Sequence, residues 1–307
     1  MRWLLPAYLV AILAVPAAGA QEQAVDPPVF RAGVDLVTVH ATVRDQRGRL
    51  VRGLTAADFE VLDRGLARPI TEFRVDRAEL SLAILFDISG SMRLAERLTA
   101  ARFAAHHLLS WLEPGRDEAA LLSFDSRLQV VAPFTVDTRA LQGALGEVDP
   151  YGATSLHDAV AEAAVLVADR ARHRRALVVL TDGIDTASRL TPAEVSGAAS
   201  VIDVPVYVIA VVLPIDRPGH GGRPWPEVSP DIGTIDDLAR WTGGAMHYAT
   251  TPAETSQVSR DVLDELRQQY LIAFEPGPGE GWHPIEVRVS RPRHEVRARG
   301  GYVRRER

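Results

Sequence analysis

The 307-residue chain contains no cysteine. That excludes disulfides, thiolate catalysis and cysteine-based zinc sites. It also lacks a strong excess of either charge. A formal net charge of −6 is too mild to select nucleic acid or any other strongly charged partner. Repeats and low-complexity tracts are missing, and beyond the N-terminus no apolar run is long enough to cross a bilayer. There is no Gly-rich phosphate loop. Ser91 does not sit in a Gly-x-Ser-x-Gly elbow, so serine hydrolysis lacks its usual context. Asp87 has no second Asp two residues on, which argues against an aspartyl-phosphate enzyme. What is present is an ordinary globular composition, 47% hydrophobic and 24% charged. Its length suits one large domain or two modest ones.

The first twenty residues read as a cleavable signal peptide. Arg2 supplies the positive start, Leu4 to Val15 an apolar core interrupted by Pro6, and Ala18-Gly19-Ala20 the small residues before Gln21. The apolar stretch is short for a membrane span, and no Cys follows to take a lipid. Secretion or a periplasmic location is the expectation; an uncleaved anchor or a buried helix is the alternative.

Downstream, residues 21–30 read as a polar, Pro-containing linker. Residues 34–43, 59–62 and 70–75 read as strands separated by turns, including Asp63-Arg64-Gly65. From about residue 80 the pattern changes. Leu82 to Phe86 is a continuous apolar run, the mark of a strand buried on both faces. Leu94, Leu98, Ala101, Ala105, Leu108 and Leu112 recur at helical spacing, and Pro114-Gly115 stops the helix. Ala119–Phe124 and Leu128–Phe134 form a strand pair, Leu156 to Val167 a helix, and 176–180 and 204–213 further buried strands. A helix closes at Arg240 to Gly244, a short strand follows at 245–248, and the last helix spans 254–269. Strands return at 270–274, 285–289 and 295–299. Alternating strands and helices predict an α/β fold, a doubly wound, mostly parallel sheet flanked by helices. The expected division is 1–20 signal peptide, 21–79 N-terminal β region, 80–268 α/β domain and 269–307 C-terminal β region. Because isolated two- or three-strand pieces rarely stand alone, the two β regions are expected to join as one small sandwich.

One constellation carries chemistry. Asp87-Ile88-Ser89-Gly90-Ser91 follows the buried strand 82–86 directly. Asp182 follows strand 176–180 in Thr181-Asp182-Gly183, and Thr154 precedes the helix at Leu156. In open α/β sheets ligands bind where strands end and helices begin. Three loops therefore bring two carboxylates and three hydroxyls to one edge. All donors are oxygens, so the expected ligand is a hard cation. With few carboxylates, water must complete the shell, which suits Mg²⁺ or Mn²⁺ better than Ca²⁺. The ion stays partly unneutralised, and an acidic side chain of a partner would complete it. Taken singly, each piece has an ordinary structural explanation, as a helix cap or a turn; their order and shared edge argue for a site.

These residues, Asp-x-Ser-x-Ser, a later Thr and a later Thr-Asp-Gly, resemble the metal-ion-dependent adhesion site of the von Willebrand factor type A superfamily. The resemblance covers roughly residues 80–268. It implies direct metal ligation by Ser89 and Ser91, by Thr154 directly or through water, and roles through water for Asp87 and Asp182. It implies a non-enzymatic, metal-dependent module that binds a partner protein through a Glu or Asp. Residues 34–75 and Glu265 to Leu271 are similar to A-related proteins described from acidobacterial genomes, a group that gives architecture and no defined ligand. Integrin-type relatives carry an acidic pair shortly after the motif; here Arg93 and Leu94 follow Met92, so no adjacent second metal site is expected.

Other features are weighed against this reading. His106 and His107 are adjacent and cannot share a helix face. His157-Asp158 lacks a partner His cluster, and Asp158 reads as helix-start chemistry. A metal-assisted hydrolase would need a base near the ion, for which Asp125 and Asp185 are the candidates; an idle scaffold is the third reading. Loop 214–230, with Trp225 between two prolines, is long for an α/β connection and is expected at the same edge, as a plain surface insertion or as a segment that shapes partner choice. The Arg-rich stretch from Arg291 to Arg307 reads as a solvated strand face with a frayed end, with a membrane or polyanion contact as the alternative.

Overall fold

The computed structural model describes residues 36–304 apart from 76–77, 95, 148–149, 171–173, 202, 215–216, 218–233 and 292. The signal-peptide reading, the linker and nearly all of loop 214–230, Trp225 included, lie outside the described residues. In chain order the elements are β1 (Val37–Asp45), β2 (Phe59–Asp63), β3 (Leu66–Arg68), β4 (Ile70–Arg74), β5 (Leu80–Asp87), α1 (Arg97–Ser110), β6 (Glu118–Phe124), β7 (Leu128–Thr135), α2 (Thr138–Ala144), α3 (Leu156–Ala168), β8 (Arg174–Thr181), α4 (Pro192–Val201), β9 (Val206–Val211), α5 (Ile235–Trp241), β10 (Met246–Ala249), α6 (Pro252–Leu266), β11 (Tyr270–Phe274), β12 (Gly281–Val289), β13 (His294–Arg297) and β14 (Gly301–Arg304).

The central sheet has the order β10-β9-β8-β5-β6-β7. All its pairs are parallel except β6–β7, which is antiparallel. Period-2 alternation in β5 divides the core. Leu82, Ile84 and Phe86 face a layer containing Ala101, Ala105 and Leu108 of α1 and Val262 and Leu266 of α6. Ala83 and Leu85 face Val160 and Ala163 of α3, Val195 of α4 and Leu238 of α5. Both faces are covered, which is why β5 reads as an unbroken apolar run. The helices after β5 and β8 thus leave on opposite faces. Since β5 and β8 are neighbours, a crevice opens at their C-terminal ends, the usual ligand position of such sheets.

The two chain ends build a second core. Sheets β13-β1-β11-β4 and β14-β12-β2-β3 are antiparallel throughout. Val39, Val43, Ile272 and Phe274 from one pack with Phe59, Val61, Ile285 and Val287 from the other. A joint sandwich is therefore what the two β regions form. Two short strands, β3 and β14, and two helices, α2 and α4, go beyond the sequence reading. Leu94 is 60% exposed and lies outside α1, because a 3₁₀ turn at Gly90–Arg93 comes between β5 and the helix. The Asp63-Arg64-Gly65 turn is present, with left-handed Arg64 and Gly65. Asp63 itself is buried and accepts hydrogen bonds from Gly277 N at 2.6 Å and Tyr302 OH at 2.9 Å, with His283 Nδ1 at 2.9 Å.

The Arg-rich tail corrects the expectation of a solvated face. Arg297 pairs with the buried Glu265, Arg299 with Asp203 at 3.5 Å and Arg291 with Asp58 at 3.1 Å, while Arg304 donates to the carbonyl of Gly277. All four join elements, and Arg297 and Arg299 are drawn inward by carboxylates far away in sequence. Asp158 lies in the first turn of α3, as read from the sequence, and has a second role. It accepts from the backbone N–H of Arg189 and Leu190 at 2.9–3.1 Å, so it anchors the loop after β8. His107 lies between Phe103 and Trp111, with ring centroids 4.4 and 5.2 Å away.

The α/β layer and the sandwich are joined by buried charge. Glu265, near the end of α6, accepts from Arg44 Nη2 at 2.6 Å, from Tyr207 OH at 2.7 Å and from Arg297. Burial pushes its carboxyl up, but the Arg297 and Arg44 guanidiniums outweigh that and hold it below the usual carboxylate range. Glu265→Gln leaves two guanidiniums short of a counter-charge. It is expected to cost about 3–5 kcal/mol in urea unfolding; a loss no greater than that of an exposed Glu→Gln control would show the hub to be dispensable. A second link is Asp203, which faces His40 of β1 and Arg299, each at 3.5 Å. Burial would raise its carboxyl, yet the Arg299 charge and the His40 hydrogen bond hold it well below the ordinary value. Its folded pKa is depressed, so the unfolded chain binds the proton more tightly. The stability it confers is complete above the ordinary Asp value of about 3.9 and drains away as pH falls toward the folded value. Asp203→Asn should therefore flatten the fall in unfolding free energy between about pH 5 and pH 2. Equal slopes for the two proteins would assign the acid lability elsewhere.

Candidate functional site

The strands β8, β5 and β6 end side by side. Phe86 pairs with Leu180 and Asp87 with Phe124, so Asp87 emerges between Thr181 on one flank and Asp125 on the other. Beyond Asp87 the chain turns through Ser89 into the 3₁₀ turn. Met92, fully buried in the core layer beneath, plugs this turn. With Met92 pointing down, the hydroxyls of Ser89 and Ser91 meet 3.1 Å apart.

The Thr154 loop is fastened to this turn backbone to backbone. Tyr151 N donates to Ile88 O at 2.7 Å, and Gly90 N donates to Gly152 O at 3.0 Å. Gly152 is left-handed, with φ +91°, a conformation that L side chains rarely adopt. Thr154 is pinned from the third loop. Its N–H donates to Thr186 Oγ1 at 2.9 Å, and its carbonyl accepts from Thr186 N and Ala187 N, both at 2.9 Å. The three loops thus hold one another, and Ser89, Thr154 and Asp182 are each almost fully buried.

Asp87 has no solvent exposure. Its Oδ1 accepts from Ser89 N at 2.8 Å and its Oδ2 from Thr181 Oγ1 at 2.5 Å. Burial pushes its carboxyl up to about 6; the Thr181 and Ser89 hydrogen bonds pull it down, and the nearby Asp182 charge raises it again. Asp182 Oδ2 accepts from Arg97 Nη1 at 2.8 Å, an ion pair in which Asp182 is almost fully buried and Arg97 largely so. All five residues expected from the sequence therefore stand around the crevice between β5 and β8. Sequence reasoning missed three others. Thr181 orients Asp87, and its place beside Asp182 was a signal. Thr186 pins Thr154. Arg97 pairs with Asp182, and its only trace was a cation at a helix start, where the helix dipole disfavours it.

The donor set suits a hard divalent cation, since it offers carboxylate and hydroxyl oxygens with no nitrogen or sulfur. Among the described residues no three His, Asp or Glu side chains gather as a ligand set, so any metal here must rely on the hydroxyls. The two candidate bases are otherwise engaged. Asp185 caps α3 by accepting from Leu156 N at 2.8 Å and accepts from Ser188 Oγ at 2.7 Å. Asp125 accepts from Arg127 N at 2.9 Å. His157 is held neutral-leaning by burial, against the pull of Asp185 at 3.7 Å.

Thr181→Val removes the hydroxyl donor to Asp87 and the acceptor for Gly183 N at 2.9 Å. Leaving a buried carboxylate oxygen unpaired should cost about 1–3 kcal/mol. Thr181→Ser should recover most of that in chemical denaturation. A Val variant as stable as the parent would show that Asp87 does not depend on this bond.

Comparison with known proteins agrees with this architecture. Residues 82–184 match the family model described as the von Willebrand factor type A domain, a stretch that contains all five site residues. No curated protein matches the chain. Among solved structures, a von Willebrand factor type A protein from Catenulispora acidiphila is similar at 15% identity and TM-score 0.50, over 77% of this chain and 74% of that one. Proximal thread matrix protein 1 from the mussel byssus, described with a zinc-occupied MIDAS motif, is similar at 16% identity and TM-score 0.50. There 73% of this chain aligns with half of that one. An aerotolerance-related membrane protein from Bacteroides fragilis aligns at 21% identity and TM-score 0.49, over 61% of this chain and 98% of that one. Among the described residues no helix is long and apolar enough to cross a membrane. Residues 82–184 thus resemble the von Willebrand factor type A domain in sequence, and the α/β layer shares the fold of the Catenulispora protein.

Proposed function

We propose that the chain is an exported, non-enzymatic module that binds a partner protein through a divalent cation, Mg²⁺ or Mn²⁺, held by Asp87, Ser89, Ser91, Thr154 and Asp182. The observation that carries this reading is the convergence of these oxygen side chains at the C-terminal ends of neighbouring parallel strands. When bound, the metal supplies a positive docking point for a carboxylate. The protein supplies rigidity, because each loop is hydrogen-bonded to its neighbours. A partner Asp or Glu fits a cation that the site neutralises only in part.

The rim supports a protein ligand. Tyr151 is 75% exposed, Leu94 60% and Ile184 41%, and each lies within three residues of a site residue. Apolar side chains around a polar centre are the usual composition of a protein-binding patch. The mussel protein described with zinc in its MIDAS motif supports a metal in this fold. Hydrolysis is disfavoured because Asp185 accepts from Leu156 N, Ser188 N and Ser188 Oγ and Asp125 Oδ1 accepts from Arg127 N. Export rests on the charged start, apolar core and small residues of the first twenty positions.

A ligand of the native state must raise stability. Millimolar Mg²⁺ or Mn²⁺ is therefore expected to raise the melting temperature of the parent protein and to leave Asp87→Ala unmoved. Cell-envelope extract captured on the immobilised protein should yield a partner that chelator releases and that Asp87→Ala fails to retain. Capture indifferent to both chelator and substitution would refute metal-dependent binding.

A further inference from the structure

Arg97 is the first residue of α1, and no acidic residue accompanies it in that first turn. A cation there opposes the helix dipole, whose positive end it shares. The residue before it, Glu96, has left-handed backbone with φ +63°, a conformation that non-glycine residues adopt at some cost. Two unfavourable local features thus place one guanidinium on Asp182 Oδ2, at 2.8 Å and largely out of solvent. Asp182 in turn lies close enough to Asp87 for their charges to interact. Among the described residues, the donors to Asp87 are neutral, the Thr181 hydroxyl and the Ser89 amide. Arg97 is therefore the cation that offsets this pair of buried carboxylates.

We propose that Arg97 is a built-in competitor for the divalent cation, a residue that sets how tightly the site takes metal. The proposal rests on the reading that the site binds such a cation. A guanidinium occupying Asp182 removes one acceptor from the metal's surroundings. It also adds a fixed positive charge that repels a second cation in a poorly screened environment. Arginine keeps its charge at every working pH, so the competition is permanent. The metal must either displace the guanidinium from Asp182 or bind beside it, and both weaken binding. The arrangement also lets the two carboxylates stay buried when metal is scarce, because one of them is already paired.

The test is direct metal binding to the full mature chain, by Mn²⁺ electron paramagnetic resonance and Mg²⁺ calorimetry, for the parent, Arg97→Gln and Arg97→Lys. Arg97→Gln should bind Mn²⁺ about tenfold more tightly or better. Arg97→Lys keeps the charge and should stay near the parent. Metal-free Arg97→Gln should melt lower than the parent and gain more in melting temperature from saturating metal. If the parent and Arg97→Gln bind metal equally, the competition is refuted while metal-dependent binding stands. If Arg97→Gln binds metal and the parent does not, the competition is upheld and metal dependence of the natural chain is refuted. If neither binds at tens of millimolar, both are overturned. A tightening shared by Arg97→Lys would assign the effect to side-chain shape and also overturn the proposal.

Discussion

The buried carboxylate of Glu265 is the constraint on which the two layers depend. A charge fully withdrawn from water must be paired, and Glu265 finds its partners on three separate segments. Arg44 comes from β1, Arg297 from β13 and Tyr207 from β9. Two of these belong to opposite ends of the chain and the third to the central sheet. The hub is satisfied only when the sandwich has closed and docked on the α/β layer. Arg174, at the start of β8, adds to it by donating to Leu266 O at 2.5 Å and Gln269 O at 3.0 Å, where the carbonyls at the end of α6 need donors and favour a positive charge. The chain has no lysine, so its permanently cationic side chains are all arginine. The planar, multiply donating guanidinium suits this task, since one side chain can tie two acceptors in fixed geometry.

The hub lies at the N-terminal edge of the parallel strands, and the candidate metal site at the C-terminal edge. The eight residues of β5 separate them by on the order of 25 Å. Rigidity is thus concentrated at one edge by ion pairs and at the other by loops that bond to each other. Ile88 O and Gly152 O accept from the opposite loop, and Thr154 O accepts from the loop after β8. Backbone polar groups are used up in these cross-links, and the side-chain oxygens are what remains to meet a ligand.

What the sequence disclosed follows from how local each signal is. The run Leu82–Phe86 revealed β5, because a strand covered on both faces has no polar alternation to obscure it. Asp87, Ser89 and Ser91 sit directly after that strand, and Asp182 directly after another, so their shared edge could be read from order alone. The helices α2 and α4 were invisible for the opposite reason. TRALQGA and PAEVSGAASV carry too few large apolar residues to mark a face, and their helicity comes from packing rather than from pattern. Arg297 and Arg299 looked like surface charge because a sequence prints the charge and hides its partner. Their carboxylates, Glu265 and Asp203, are separated from them by tens of residues and are brought close only by the sandwich. Asp158 showed its helix-start place but not its second role, since the amides it accepts from lie in the loop after the next strand.

Arg97 brings these two kinds of information together. Its position at a helix start is a local feature, visible and unfavourable; its justification, Asp182, is non-local. A residue that breaks a local rule and is rescued by a distant partner marks a place where function or assembly outweighs propensity. At this site the rescue has a further consequence. Many small metal-binding domains fold only when metal arrives, because no site exists without it. Here one carboxylate rests on a guanidinium and the other on a hydroxyl and an amide, so the loops can assemble before any ion enters. Assembly of the loops is then carried by the chain's own donors.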